Sequence, residues 1–351
     1  MKNVAVLGSG SWGTALAFHL ANAGHDVRLW GRNADLIDEM KARRANAVYL
    51  PDIVLPRGVA PTASLEEALQ RADIVLAALP SHGTRAVIRS AAPFIPRQAL
   101  IVSATKGIEQ DTLLRVSEVI AQEVRGARPV AVLSGPSFAI EVARGLPTAV
   151  SVACADPVLA EDVQREFRAA YFRLYGSTDV VGVEIGGALK NIIAIAAGAA
   201  EQLGFGDNGK AGIITRGLAE ITRLGIAAGA NPLTFAGLAG LGDVMTTCYS
   251  ALSRNHALGV ELAKGRKWDD IEGTLPGVAE GAYTVTSALE MASQLGVEMP
   301  IAQEVSYALF EGKSVQRCLI DLLSREQKDE LAGVEEWARR AFANQATAEI
   351  G

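Results

Sequence analysis

Short apolar runs and longer amphipathic stretches alternate through the first half of the chain. Residues 4–7, 26–30, 74–79, 100–103, 130–133 and 149–152 are mostly apolar rather than alternating, and most lead directly into Gly, Pro or Ser. That pattern predicts parallel strands buried on both faces. Residues 172–175 read as a last strand. Helical stretches separate the strands. The first covers 11–23 and is closed by Gly24, a residue type that ends helices well. Alternating β and α predicts a doubly wound α/β sheet.

After about residue 180 the pattern changes to helical periodicity throughout. Helices are expected over 187–203, 209–228, 231–236, 253–264, 279–295 and 302–309, with Asn231-Pro232 as an N-cap followed by Pro at the first helical position. A length of 351 residues suits two domains. The expectation is an α/β Rossmann-type N-terminal domain over 1–180 and an all-α C-terminal domain over 181–351. The ending ANQATAEIG reads as a frayed tail.

Composition narrows the classes. Hydrophobic residues make up 49% and charged residues 21%, enough to build and cover a large core. A net charge of −6 argues against nucleic acid or an anionic membrane as partner, so an anionic substrate needs a local cluster of cations. Cys154, Cys248 and Cys318 are odd in number and far apart, which disfavours disulfides and zinc and suits a reducing compartment. His19, His25, His82 and His256 lack metal-ligand spacing, so no metal site is expected. The opening MKNVAVLGSG is too short in apolar residues for a signal peptide. The longest apolar run, 192–200, is short of the roughly 20 residues that span a bilayer. A cytoplasmic protein without membrane insertion is expected.

Chemistry enters at Gly8-Ser9-Gly10-Ser11-Trp12-Gly13, a G-x-G-x-x-G turn between the first strand and the first helix. Gly8 makes the tight turn, Gly10 admits a pyrophosphate and Gly13 lets helix pack on strand. The helix N-terminus offers free N–H groups from Ser11 and Trp12. Such a loop alone is a weak signal, but its strand–turn–helix context makes it a dinucleotide site. The second strand ends in Trp30-Gly31-Arg32-Asn33, with no acid before Asp35. Arg32 suits the 2′-phosphate of NADP, with NAD also accepted.

Three further segments carry polar groups at strand ends or on an apolar helix. Lys106 follows a strand in ATKG, where strand C-termini face the ligand crevice. Gly135 and Ser137 follow another in LSGPS and offer an N–H and a hydroxyl to a small anion. Lys190 opens a stretch, KNIIAIAAG, apolar on nearly all sides, where a lysine is costly unless it is paired, deprotonated or working in a cleft. Gly240-Leu241-Gly242-Asp243 sets a carboxylate among glycines. Ser253-Arg254-Asn255 opens a helix with the donors that suit a phosphate. Ser81-His82 reads as a strand-end loop over the cofactor rather than part of a catalytic triad.

Together the motifs GSGSWGTALA, ATKG, LSGPSFAIEVARGLPTA, GGALKNIIAIAAG, GFGDNGKAGIITRGLAE, AGLGDVMTTC, SRNHALG, GVAEG and GVEMPIAQEV resemble those of bacterial NAD(P)-dependent glycerol-3-phosphate dehydrogenases, in the same order along nearly the whole chain. The resemblance implies a 6-phosphogluconate-dehydrogenase-like architecture and interconversion of glycerol 3-phosphate and dihydroxyacetone phosphate for glycerophospholipid synthesis. It implies Lys190 as proton acceptor, and Lys106, Gly135, Ser137, Asp243, Ser253, Arg254 and Asn255 at the substrate. Around the cofactor it places Ser11, Trp12, Arg32, Lys106, Ala139, Arg254, Val278 and Glu280. Two rival readings are a related dehydrogenase acting on a hydroxy acid and a non-catalytic NADPH-sensing module. The Ser253–Asn255 trio favours a phosphate ester over a carboxylate. The joint presence of Lys190, Asp243 and Arg254 exceeds what sensing needs. A homodimer face in the Ala/Gly-rich second half would be compatible with this composition.

Overall fold

The computed structural model describes residues 1–124, 129–274, 277–326 and 329–330; the ANQATAEIG tail lies outside them. Among the described residues the strands are β1 Asn3–Leu7, β2 Asp26–Trp30, β3 Ala45–Asn46, β4 Leu50–Val54, β5 Val59–Thr62, β6 Ile74–Ala77, β7 Leu100–Ser103, β8 Ala131–Ser134, β9 Thr148–Ala153 and β10 Phe172–Ser177. Eight of them form one sheet in the order β10-β9-β8-β7-β6-β1-β2-β5, and β3 with β4 form a separate hairpin. From β5 to β8 every neighbouring pair is parallel. Successive residues serve opposite faces. Val4 and Val6 join one apolar cluster with the helix Ser11–Asn22, while Ala5 and Leu7 join another with the helices on the far side.

Two features depart from the sequence expectation. First, β9 runs antiparallel to β8, and β10 follows β9. The segment between β8 and β9 holds only the five-residue helix Ala139–Ala143. At about 1.5 Å per residue that helix is shorter than the strands it would have to pass to return in parallel. Second, β5 was hidden by Pro61, which interrupts an apolar reading but is tolerated because β5 lies at the sheet edge.

The second half is helical around one long central helix, Val180–Gln202. It begins seven residues before the expected 187, capped by Asp179, whose carboxylate accepts from the Gly182 N–H at 3.0 Å. Glycines on it and on the helix Arg254–Ala263 permit backbone contact between the two. A Cβ on Gly198 would lie 2.1 Å from the His256 carbonyl oxygen, and one on Gly259 would lie 1.9 Å from that of Ile195. The helices Gly206–Ala227, Arg254–Ala263 and Glu280–Leu295 surround it. The central helix has the length and hydropathy to cross a bilayer, more than the run 192–200 suggested, but most of that span is buried inside the protein.

Candidate active site

A cleft of about 470 Å³ opens where the C-terminal ends of β1, β2, β6 and β7 meet the helical half. Its first wall is the glycine loop. Gly8 has φ +117°, and a Cβ there would lie 2.3 Å from the Ala78 carbonyl oxygen. A Cβ on Gly13 would lie 1.9 Å from the Gly8 oxygen, so Gly13 serves helix packing and stays behind the cleft surface. A Cβ on Gly10 would meet nothing within 4 Å. The helix Ser11–Asn22 has no side-chain cap and no acid in its first turn. Its leading N–H groups therefore face the cleft without a helical partner. Arg32 stands exposed on the same wall at the end of β2, and Ala139 lines the same cleft. Open space at Gly10, uncapped N–H groups and a nearby cation fit a dinucleotide pyrophosphate and a 2′-phosphate.

The second wall holds a buried ionic cluster. Lys190 is the eleventh residue of the central helix, counted from Val180, and not at a helix end as the sequence suggested. A lysine there cannot reach solvent past the helix terminus. It is 7% exposed, and its ammonium lies 2.8 Å from Asp243 Oδ1 and donates to Thr247 Oγ1. Lys106 donates to Asp243 Oδ2 at 2.5 Å and to the Gly135 carbonyl at 3.2 Å. One carboxylate, 2% exposed, thus bridges two lysines. Burial pushes the Lys190 ammonium down to about 8; Asp243 pulls it up and Lys106 pushes it down. Asp243 reaches this position through the wide, π-type turn Leu238–Gly242, where a Cβ on Gly240 would lie 2.2 Å from the Phe235 carbonyl oxygen.

The remaining groups frame that cluster. Ser253 caps the helix Arg254–Ala263 by accepting from the His256 N–H at 3.2 Å. The N–H groups of Arg254 and Asn255 open that helix and have no helical partner. The Arg254 side chain makes no hydrogen bond or ion pair among the described residues, and burial pushes its guanidinium below its usual range, with Glu280 opposing. Glu280 accepts from the Ser81 hydroxyl at 2.6 Å, and burial pushes its carboxyl up despite that bond. The Ser81–Gly83 turn and Val278 flank it at the cleft.

The cleft brings together Gly8, Gly10, Ser11, Trp12, Arg32 and Ala139 on one side, and Lys106, Lys190, Asp243 and the Ser253–Asn255 trio on the other, with Ser137, Val278 and Glu280 between. Gly135 lies behind the surface with φ +140°, its carbonyl accepting from Lys106 and, at 2.8 Å, from the Ser137 hydroxyl. Ser137 therefore presents lone pairs rather than its proton. The Asn255 amide donates to Asn191 Oδ1 at 2.9 Å and accepts from the Gly281 N–H at 2.9 Å, so it holds the wall together as well as facing the cleft. Sequence reasoning missed Thr247, Asn191 and Tyr49. Thr247 stands four residues after Asp243, on the same face of a helix, and that spacing was a usable signal. Tyr49 came from a hairpin that the sequence did not reveal.

Residues 3–160 match the family described as NAD-dependent glycerol-3-phosphate dehydrogenase N-terminus, and residues 179–320 match its C-terminus. A glycerol-3-phosphate dehydrogenase [NAD(P)+] of Geobacter sp. strain M21 is 49% identical over 332 residues, covering 94% of this chain and 99% of the relative. One from Myxococcus xanthus is 49% identical over 331 residues, with the same coverage. The crystal structure of glycerol-3-phosphate dehydrogenase from Coxiella burnetii is similar with a TM-score of 0.89 and 38% identity, covering 92% of this chain and 99% of that one.

Proposed function

This chain belongs to the NAD-dependent glycerol-3-phosphate dehydrogenase family, and on that premise we propose that Lys190 is the group that exchanges the substrate's proton. The enzyme interconverts sn-glycerol 3-phosphate and dihydroxyacetone phosphate with NAD(P)(H). When bound, the nicotinamide supplies or accepts the hydride at the substrate's central carbon. The glycine loop, with Ser11, Trp12 and Arg32, would hold the cofactor, and Arg32 favours NADP while leaving NAD usable.

The observation that carries the Lys190 assignment is a buried ammonium, depressed to about 8, on the wall of the cleft beside a buried carboxylate. In reduction, protonated Lys190 donates to the oxygen that becomes the alcohol. In oxidation, neutral Lys190 takes that proton back. Asp243 aims the ammonium and holds Lys106 against the same site. The substrate phosphate binds at the N-terminus of the helix Arg254–Ala263, on the N–H groups of Arg254 and Asn255 and the unpaired Arg254 guanidinium. Lys106 adds a second positive charge, and Ser137 accepts from a substrate hydroxyl.

Lys190→Ala tests this. It should lower kcat by a factor of about 10³ or more while NADPH still binds. Turnover near the parent rate would remove Lys190 from the mechanism. We infer further that residues 1–180 form the cofactor domain and 181–351 the substrate domain. The product serves glycerophospholipid synthesis in the cytoplasm.

A further inference from the structure

Asn46 belongs to the small hairpin outside the main sheet, yet it is 0% exposed. Its side-chain N–H group donates to the Ser9 carbonyl at 2.8 Å and to Thr14 Oγ1 at 2.8 Å. Its Oδ1 accepts from the Tyr49 N–H at 3.1 Å. Thr14, also 0% exposed, turns its own hydroxyl towards the same Ser9 carbonyl at 3.4 Å. Two buried donors thus converge on one carbonyl of the glycine loop.

The consequence follows from peptide geometry. In a trans peptide the carbonyl and the next N–H point in opposite directions. No peptide bond in the described residues is cis. Drawing the Ser9 carbonyl into the protein therefore turns the Gly10 N–H outward. That N–H has no backbone partner among the described residues, and a Cβ on Gly10 would enter open space. The glycine residues permit this orientation, but permission is not selection, because glycine populates several conformations with little preference.

We propose that Asn46 is a positioning residue for the cofactor: it fixes the Ser9–Gly10 peptide so that the Gly10 N–H faces the pyrophosphate. The inference rests on the glycine loop holding that pyrophosphate. It extends the cofactor site to a hairpin that contributes no strand to the main sheet. The side-chain type matters. An aspartate keeps the oxygen that seats Tyr49 but sets an oxygen against the Ser9 carbonyl, where the peptide gains by flipping.

Titration of NADPH fluorescence against Asn46→Asp, Thr14→Val, Thr14→Ser and Gly10→Ala tests the proposal without reading turnover. Adenosine 2′-monophosphate, which carries no pyrophosphate, serves as the second probe. Asn46→Asp should weaken NADPH binding by about tenfold or more, and Thr14→Val by roughly threefold, while Thr14→Ser binds like the parent. Adenosine 2′-monophosphate should bind all four variants as it binds the parent. Equal loss of both probes, or no loss in either Asn46→Asp or Thr14→Val, overturns the proposal. If Asn46→Asp does not fold, the near-isosteric Thr14→Val decides alone. Gly10→Ala separates the premise from the inference: unchanged NADPH affinity there removes the glycine-loop reading itself, whereas weakened binding there with normal binding in the other variants removes only the role of Asn46.

Discussion

The two walls of the cleft are made of different material. The dinucleotide wall is mostly backbone: a strand end, a turn that needs glycine at Gly8 and Gly13, and the uncapped start of the helix Ser11–Asn22. The substrate wall is mostly side chain, and its central ions come from Lys106, Lys190 and Asp243, which lie far apart in sequence. Backbone donors are not deleted when a side chain is truncated, although the Gly10 N–H depends on Asn46 and Thr14 behind it for its aim. Buried ions need one another, and removing one strands the rest. Loss of a side chain should therefore weaken the first wall by about tenfold or less, and the second by far more.

After Lys190→Ala, the largest effect that sharpens this contrast belongs to Asp243→Asn. It leaves two lysines facing each other without their carboxylate, and kcat should fall by about a hundredfold or more. The pH profile carries the sign. Reduction of dihydroxyacetone phosphate needs protonated Lys190, so in the parent enzyme kcat should fall as pH rises through about 8. Asp243 pulls the Lys190 value up. Its loss should move that fall to lower pH, and an unmoved midpoint would detach Asp243 from Lys190. Arg254→Ala comes next. KM for dihydroxyacetone phosphate should rise by about thirtyfold or more, with a smaller loss of kcat from poorer placement of the substrate. A kcat loss with unchanged KM would break the phosphate assignment. The smallest effect belongs to the backbone-built wall. Arg32→Ala should raise KM for NADPH by roughly tenfold and leave KM for NADH nearly unchanged. Equal changes for both cofactors would mean that Arg32 does not read the 2′-phosphate.

The same contrast explains how much the sequence disclosed. The glycine turn is local, so its spacing between a strand and a helix was enough to place it. The strands β1, β6 and β7 were legible because burial on both faces leaves an unbroken apolar run, whereas β2, with Asp26 and Arg28 exposed, was placed by its distance from the glycine turn. The start of the central helix was not. Gly186 and Gly187 weaken a helical reading, but both are required by contacts distant in sequence. A Cβ on Gly186 would lie 2.5 Å from the Ala239 carbonyl oxygen, and one on Gly187 would lie 2.4 Å from Ser134 Oγ. The ionic cluster was legible as residue types and not as a geometry. Nothing near Asp243 in the chain announces that it bridges Lys106 and Lys190, and nothing near Asn255 announces its bond to Asn191.

The reversal of the sheet at β9 sets a length. Because β9 and β10 run against β8, the chain leaves the sheet at the end away from the cleft and must climb back. The central helix makes that climb: Val183 packs beside Ala153 and Val132, and Gly187 stands against Ser134 at the top of β8. The ten residues from Val180 to Lys190 rise about 15 Å, close to the height of one strand. The helix thus acts as a ruler with the lysine marked on it. Inserting one residue between Asp179 and Lys190 would swing the ammonium by about 100° off the cleft, whereas seven would return it to nearly the same bearing but about 10 Å too far. In this fold the spacing from the sheet's exit to Lys190 is as constrained as the identity of the lysine itself.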